Sequence, residues 1–303
     1  MRKFPLLAAL AIALGLDSGA PPCPAAAPTV SPWVATFYSH HHVYPDLPYK
    51  QVGGKVLTLD LYLPTDVKGP VPTVLYLHGG GWSEGTRNGD MGYMLPWMEL
   101  KWALVTPGYR LTGEALAPAA VEDSVSAYRW IARHAATYHF DLQRLVVSGG
   151  SAGGNLALLV GMAPASAGFD LESGAGPLPP PAAIVNISGV TDVTAYLVGP
   201  HASKFAVAWV GGPDHLDLAR RVSPLSYIRP GLPPVLTVHC VGDPSVSYDQ
   251  AVRLQAALDK AGVPHELLTI PGKKHGYWRP EDYIQIYATL EAFLARHRLT
   301  EAP

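Results

Sequence analysis

The chain has 303 residues, 48% of them hydrophobic, with 22 Lys and Arg against 24 Asp and Glu for a formal charge of −2. That length and apolar content suffice for one large α/β core, and near-neutrality argues against a nucleic-acid or anionic-membrane binder, which needs a basic face. Two cysteines, Cys23 and Cys240, make no disulfide framework, and no disulfide is expected.

The first 27 residues read differently from the rest. Arg2 and Lys3 precede an apolar run from Phe4 to Leu16, and small residues with prolines continue to Ala27. This is the layout of a secretory signal peptide, and the run is too short to span a bilayer comfortably. Cleavage fits after Ala20 or near Ala25 to Ala27; an uncleaved membrane tether, or a lipid anchor at Cys23, is the alternative. Residues 28–303 read as a single catalytic domain, secreted or periplasmic, with no stable membrane insertion once the leader is gone. His40, His41 and His42 fall in an extended segment where neighbours face opposite sides, with no cysteine or carboxylate placed beside them. They read as surface histidines, and no metal is expected.

Strands are expected near 56–63 and 72–78. The second, Thr73-Val74-Leu75-Tyr76-Leu77, runs into His78-Gly79-Gly80-Gly81-Trp82. Three successive glycines leave backbone N–H groups unshielded and able to approach an anion, the partner motif of a nucleophile elbow. His78 reads as a brace of that loop rather than a base. A strand near 102–106 leads to Gly108-Tyr109-Arg110-Leu111, and a helix is expected over 119–138. Next comes the apolar run Leu145-Val146-Val147 of a strand near 144–148, followed by Ser148-Gly149-Gly150-Ser151-Ala152-Gly153-Gly154 and a helix over 152–161. Gly149 and Gly153 flank Ser151 as G-x-S-x-G, a turn so tight that the chain passes close to itself on both sides of the serine.

A serine hydroxyl needs a base, an orienting acid and oxyanion donors. Past a strand near 182–188, segment 189–230 reads as a partial lid. A strand near 234–240 ends just before Val241-Gly242-Asp243, placing Asp243 in the loop beyond it. Asp249 is a rival, but it falls on the first turn of a helix expected over 247–261, where a carboxylate suits the helix dipole. The strand near 265–270 is followed by Pro271-Gly272-Lys273-Lys274-His275-Gly276, which places His275 in a glycine-bracketed loop. The order Ser, Asp, His matches the elbow scaffold. An amphipathic helix over 280–296 closes the chain. Strands alternating with helices predict a mostly parallel sheet with helices on both faces.

These motifs resemble those of the α/β-hydrolase esterases, and more narrowly a secreted bacterial branch with feruloyl-esterase-like and acetylesterase-like members. The resemblance runs from about Val56 to Leu294. It implies Ser151 as nucleophile, His275 as general base and then acid, Asp243 as its orienting carboxylate, and the N–H groups of Gly80, Gly81 and Ala152 as oxyanion donors. No cofactor is implied. Many relatives carry asparagine where this chain has Gly108, which touches local hydrogen bonding rather than catalysis. Lys273 and Lys274 add positive charge before His275 and, if close, would attract an acidic substrate. Trp82 and Trp278, nearest the motifs, are the candidate substrate-binding residues among Tyr93, Trp97, Trp102 and Trp209. The expected activity is hydrolysis of short acyl or aromatic carboxylic esters, free or polymer-linked. The alternatives are an amidase or peptidase of the same fold and a non-catalytic binding protein. Oligomeric state is not readable from the sequence.

Overall fold

Runs of aliphatic and β-branched residues become the middle of an eight-stranded sheet. The computed structural model describes residues 40–300 apart from Ser173, Ala175, Lys273 and Tyr277; the expected leader, 1–27, and Cys23 lie outside the described residues. In chain order the elements are β1 (His41–Val52), β2 (Lys55–Pro64), β3 (Val71–Leu77), α1 (Met91–Glu99), β4 (Ala103–Pro107), α2 (Ala119–Tyr138), β5 (Phe140–Gly150), α3 (Ala152–Met162), β6 (Ala183–Ile187), α4 (Lys204–Val210), α5 (Leu216–Arg221), β7 (Val235–Cys240), α6 (Asp249–Lys260), β8 (His265–Ile270) and α7 (Pro280–Arg296). The strands lie in the order β1-β2-β4-β3-β5-β6-β7-β8. β1 and β2, and β2 and β4, pair antiparallel; every other pair is parallel. This is an α/β-hydrolase fold.

Two apolar layers enclose the sheet. One joins Leu75, Leu77, Val147, Leu156, Leu159 and Trp209, and the other joins Trp97, Trp102, Val238, Ile270, Phe293 and Leu294. Central strands are buried from end to end, as parallel strands covered on both faces must be. Ion pairs tie the antiparallel edge to this core. The side chain of Asp123 on α2, fully buried, accepts from Arg110 Nε at 2.8 Å, Arg110 Nη2 at 2.8 Å and Lys50 Nζ at 2.7 Å. Removing the shared Asp123 carboxylate would take the partner from the nearly buried Lys50 ammonium, a loss of roughly 3–5 kcal/mol.

Five elements depart from the sequence-based expectation, among them α5, a six-residue helix within segment 189–230 that was not expected. β1 was not expected: it is an edge strand with mostly exposed side chains and Pro45 and Pro48 within it, so it carries no alternating apolar signal. β5 begins at Phe140 rather than near 144, because Val71 and Pro72 pair with Phe140 and Asp141 before the apolar run begins. The helices α1 and α4 are nine and seven residues long and were not expected; α1 contains Pro96, a helix breaker by propensity that the packing tolerates here. Of the three histidines read as surface, His40 and His42 are exposed, but His41 is buried against the sheet edge at 7% exposure.

Candidate active site

The expected catalytic and oxyanion residues gather at the carboxyl ends of the strands, the edge at which open α/β sheets bind ligands. β5 delivers Ser151 on the turn into α3, with φ 54° and ψ −119°. A non-glycine residue held there stores about 1–3 kcal/mol of strain. The turn closes because its flanks are glycine: a Cβ on Gly153 would overlap the Leu77 carbonyl oxygen, and one on Gly149 would overlap that of Gly153. The Ser151 N–H donates to the Ile187 carbonyl at 2.8 Å, and its own carbonyl accepts the N–H of Asn155 at 3.1 Å, pinning the elbow between β6 and α3.

β8 leads to His275, whose Nε2 lies 2.7 Å from Ser151 Oγ and whose Nδ1 lies 2.7 Å from Asp243 Oδ2. A carboxylate only accepts, so Nδ1 carries the hydrogen and Nε2 presents its lone pair to the serine hydroxyl. Asp243 leaves the end of β7 with a fully buried side chain. Its Oδ1 accepts the N–H groups of Ser245 and Val246, each at 2.8 Å. Asp249, the rival, stands in the first turn of α6 with a 64% exposed side chain, paired loosely with Arg253 at 4.0 Å.

The glycine loop faces the serine. Gly80 and Gly81 both have positive φ, 110° and 57°, which turns their N–H groups away from the strand direction. Among the described residues the N–H groups of Gly80, Gly81 and Ala152 meet no acceptor, and Ala152 opens α3, where the helix dipole favours negative charge. His78 is buried, stacks on Tyr109 with ring centroids 4.2 Å apart, and donates from Nδ1 to the Gly79 carbonyl at 2.7 Å. It braces the loop and does not reach the serine. The Gly108 N–H donates to the Thr58 carbonyl at 3.0 Å and its carbonyl accepts from the Tyr49 hydroxyl at 2.6 Å.

A cleft of about 670 Å³ opens over these groups. Segment 189–230 supplies part of its wall through Tyr196, Ser203, Phe205 and Ala206, with α4, α5 and two short 3₁₀ turns packed over the sheet edge. Trp82 lines the cleft with its indole stacked on Trp209 at 4.1 Å. Trp278 does not line it: three residues past His275 the chain has turned inward, and the indole, 5% exposed, packs in the core layer of Cys240, Ile270 and Ile286. The paired Trp97 and Trp102 belong to that layer as well. Lys274 is not a lining residue either, and Lys273 lies outside the described residues.

Sequence reasoning missed three supports of the site. Tyr196 lines the cleft and accepts the Ser247 N–H on its hydroxyl at 2.8 Å; burial raises its phenol to about 12. Asp90 accepts the Gly79 N–H at 2.8 Å and the Tyr76 hydroxyl at 3.1 Å, both on Oδ2. His239 lies beneath the acid, its Nε2 donating to the Val246 carbonyl at 2.8 Å and sitting 3.6 Å from Asp243 Oδ2. None belongs to a recognisable motif.

Burial holds the imidazoles of His78 and His239 below their ordinary value, against the opposing pull of a backbone carbonyl and a nearby carboxylate on each. Both are therefore neutral in the folded protein over a range where the unfolded chain binds protons. Their contribution to stability is complete above about pH 6.5 and is lost as the pH falls below it. Thermal midpoints measured from pH 7.5 to 5 should fall, with a shallower slope in His239→Gln; equal slopes in the two proteins would remove His239 from the account.

An Asp-His-Ser relay on an elbow, its acid buried and its serine open to the cleft, facing a loop whose N–H groups meet no acceptor among the described residues, defines a serine hydrolase of the α/β-hydrolase fold. The chain belongs to the BD-FAE family, whose family model matches residues 59–258. It is 31% identical to carboxylesterase NlhH of Mycobacterium tuberculosis over 72% of this chain and 70% of that protein. To an ethyl acetate hydrolase of Pseudomonas putida it is 30% identical, over 79% of this chain and 77% of the relative. A thermophilic esterase of Thermogutta terrifontis with butyrate bound superposes with a TM-score of 0.73 at 26% identity, covering 87% of this chain and 96% of that one; the same enzyme has been solved phosphoramylated by tabun. The chain is a serine ester hydrolase.

Proposed function

We propose that the protein is a secreted carboxylesterase that cleaves short acyl or aromatic esters through an acyl-enzyme on Ser151. The observation that carries this reading is the continuous hydrogen-bonded relay from Asp243 through His275 to Ser151, 2.7 Å at each step. As Ser151 Oγ attacks the ester carbonyl, His275 Nε2 takes its proton and Asp243 stabilises the resulting imidazolium. The N–H groups of Gly80, Gly81 and Ala152 receive the oxyanion, each donor contributing about 2.7–4 kcal/mol to the barrier. His275 then returns the proton to the leaving alcohol, and water repeats the sequence on the acyl-enzyme.

A preference for short acyl groups is favoured by the aromatic side chains at the cleft walls, Trp82 and Phe205, the second packed on Gly81 of the glycine loop. The butyrate-bound relative and the ethyl acetate hydrolase support the same range of acyl size. Export rests on the leader alone, 1–27, with its charged, apolar and small-residue zones. The test of the activity is a p-nitrophenyl ester series from acetate to decanoate with methyl ferulate alongside. The expected profile peaks at short chains. Activity confined to anilides and peptides would instead make this an amidase.

A further inference from the structure

Two carboxylates line the cleft outside the relay, Glu84 and Asp90, and the second is held in place. Asp90, at the start of α1, is fixed by its two Oδ2 bonds to the Gly79 N–H and the Tyr76 hydroxyl. Its Oδ1 accepts no bond among the described residues, and the residue lines the cleft. A Cβ placed on Gly79 would lie 3.5 Å from Ser151 Cβ and 3.7 Å from Asp90 Oδ2, so carboxylate and nucleophile border one methyl-sized space. A fixed negative charge there opposes the oxyanion that forms on attack, unless the substrate brings an opposite charge. Nothing in the cleft wall supplies one: its other ionisable side chains include Glu84 and His275, and no Lys or Arg lines it among the described residues.

An aromatic wall stands beside the carboxylate: a Cβ on Gly150 would lie 3.6 Å from Tyr93 Cε2 and 3.7 Å from Asp90 Oδ2. The Tyr93 ring stands 6.1 Å from that of Tyr283, which also lines the cleft and extends this wall. A carboxylate beside an aromatic wall is a site for an organic cation. The Tyr93 hydroxyl lies 3.4 Å from where a Cβ on Gly276 would stand, so this wall is on the His275 side. His275 must protonate the departing oxygen, so the limb against this wall is the alcohol. Phe205, packed on Gly81, belongs to the acyl side.

Building on the ester-hydrolase reading, we propose that Asp90, with Tyr93 and Tyr283, selects esters whose alcohol carries an ammonium group. The test compares kcat/KM for butyrylcholine with that for its neutral isostere, 3,3-dimethylbutyl butyrate, in the wild type and in Asp90→Asn. The asparagine keeps an oxygen for Gly79 and Tyr76 and removes only the charge, and the ratio of the two esters cancels any general loss of activity. Wild type should favour the cation by about tenfold or more, with the ratio falling to near one in the variant. The wild-type preference should also shrink between low and high salt, a readout that needs no variant. A ratio near one in the wild type, a preference that survives Asp90→Asn, or one indifferent to salt overturns the role of Asp90. Failure to hydrolyse p-nitrophenyl butyrate as well as both esters would overturn the ester reading instead.

Discussion

Ser151→Ala is expected to lower kcat/KM toward p-nitrophenyl butyrate by at least about 10³-fold, with the loss in kcat approaching ~10⁶ if the relay acts as one unit. The effect falls on kcat rather than KM, because the hydroxyl makes its new bond only on the way to the tetrahedral state. Stability should barely move. Among the described residues the Ser151 hydroxyl bonds only to His275, and alanine has the same Cβ in the same φ 54° backbone, so the elbow's strain is neither added nor relieved. Thermal midpoints within a degree or two of each other would show that activity and fold have been separated. A serine-directed phosphonate should label the wild type once and the variant not at all. Unchanged turnover in the variant would sink the nucleophile assignment; Cys240 offers no substitute, being fully buried with Sγ held 3.0 Å from the Gly272 carbonyl.

That the site is legible in the sequence comes from the kind of constraint it carries. Gly79, Gly80, Gly149 and Gly153 are demanded by backbone approach, and Gly81 by its positive φ and the Phe205 ring against it; such demands leave a mark in the sequence whatever the rest of the chain does. The parallel strands β3 to β7 were legible for a related reason, since strands buried on both faces read as apolar runs. β1 was not legible, because an exposed edge strand is held by its pairing with β2 and needs no apolar pattern of its own. Trp278 shows the limit of arguing from sequence distance. It lies three residues from His275, but the direction of its side chain is set by the turn between them, and that turn sends it into the core. Asp90 shows the converse: twelve residues beyond His78 and outside any motif, it is returned to the glycine loop only by the path of 82–90.

Asp243→Asn should cost about 10⁴-fold in kcat while leaving the fold intact. The placement of hydrogens decides this. Oδ1 of Asp243 is committed to the N–H groups of Ser245 and Val246, and an asparagine carbonyl oxygen can keep both bonds. Its amide nitrogen then takes the place of Oδ2, where it can only donate, and His275 Nδ1 must become the acceptor. The ring hydrogen moves to Nε2, which faces Ser151 Oγ at 2.7 Å and can no longer take its proton. The relay is thus disabled by a tautomer rather than by a missing contact. His239 cannot restore it: its Nε2–H already serves the Val246 carbonyl, and Nδ1 is buried with no partner among the described residues. Because the defect is one of proton placement, KM should change little and the loss should sit in kcat. Asp249→Asn is the matched control, since that carboxylate stands on α6 in solvent and should leave kcat within about twofold. Equal losses in the two variants would return the choice of acid to Asp249; a large loss in Asp243→Asn alone, with an unchanged thermal midpoint, places the orienting charge at the end of β7.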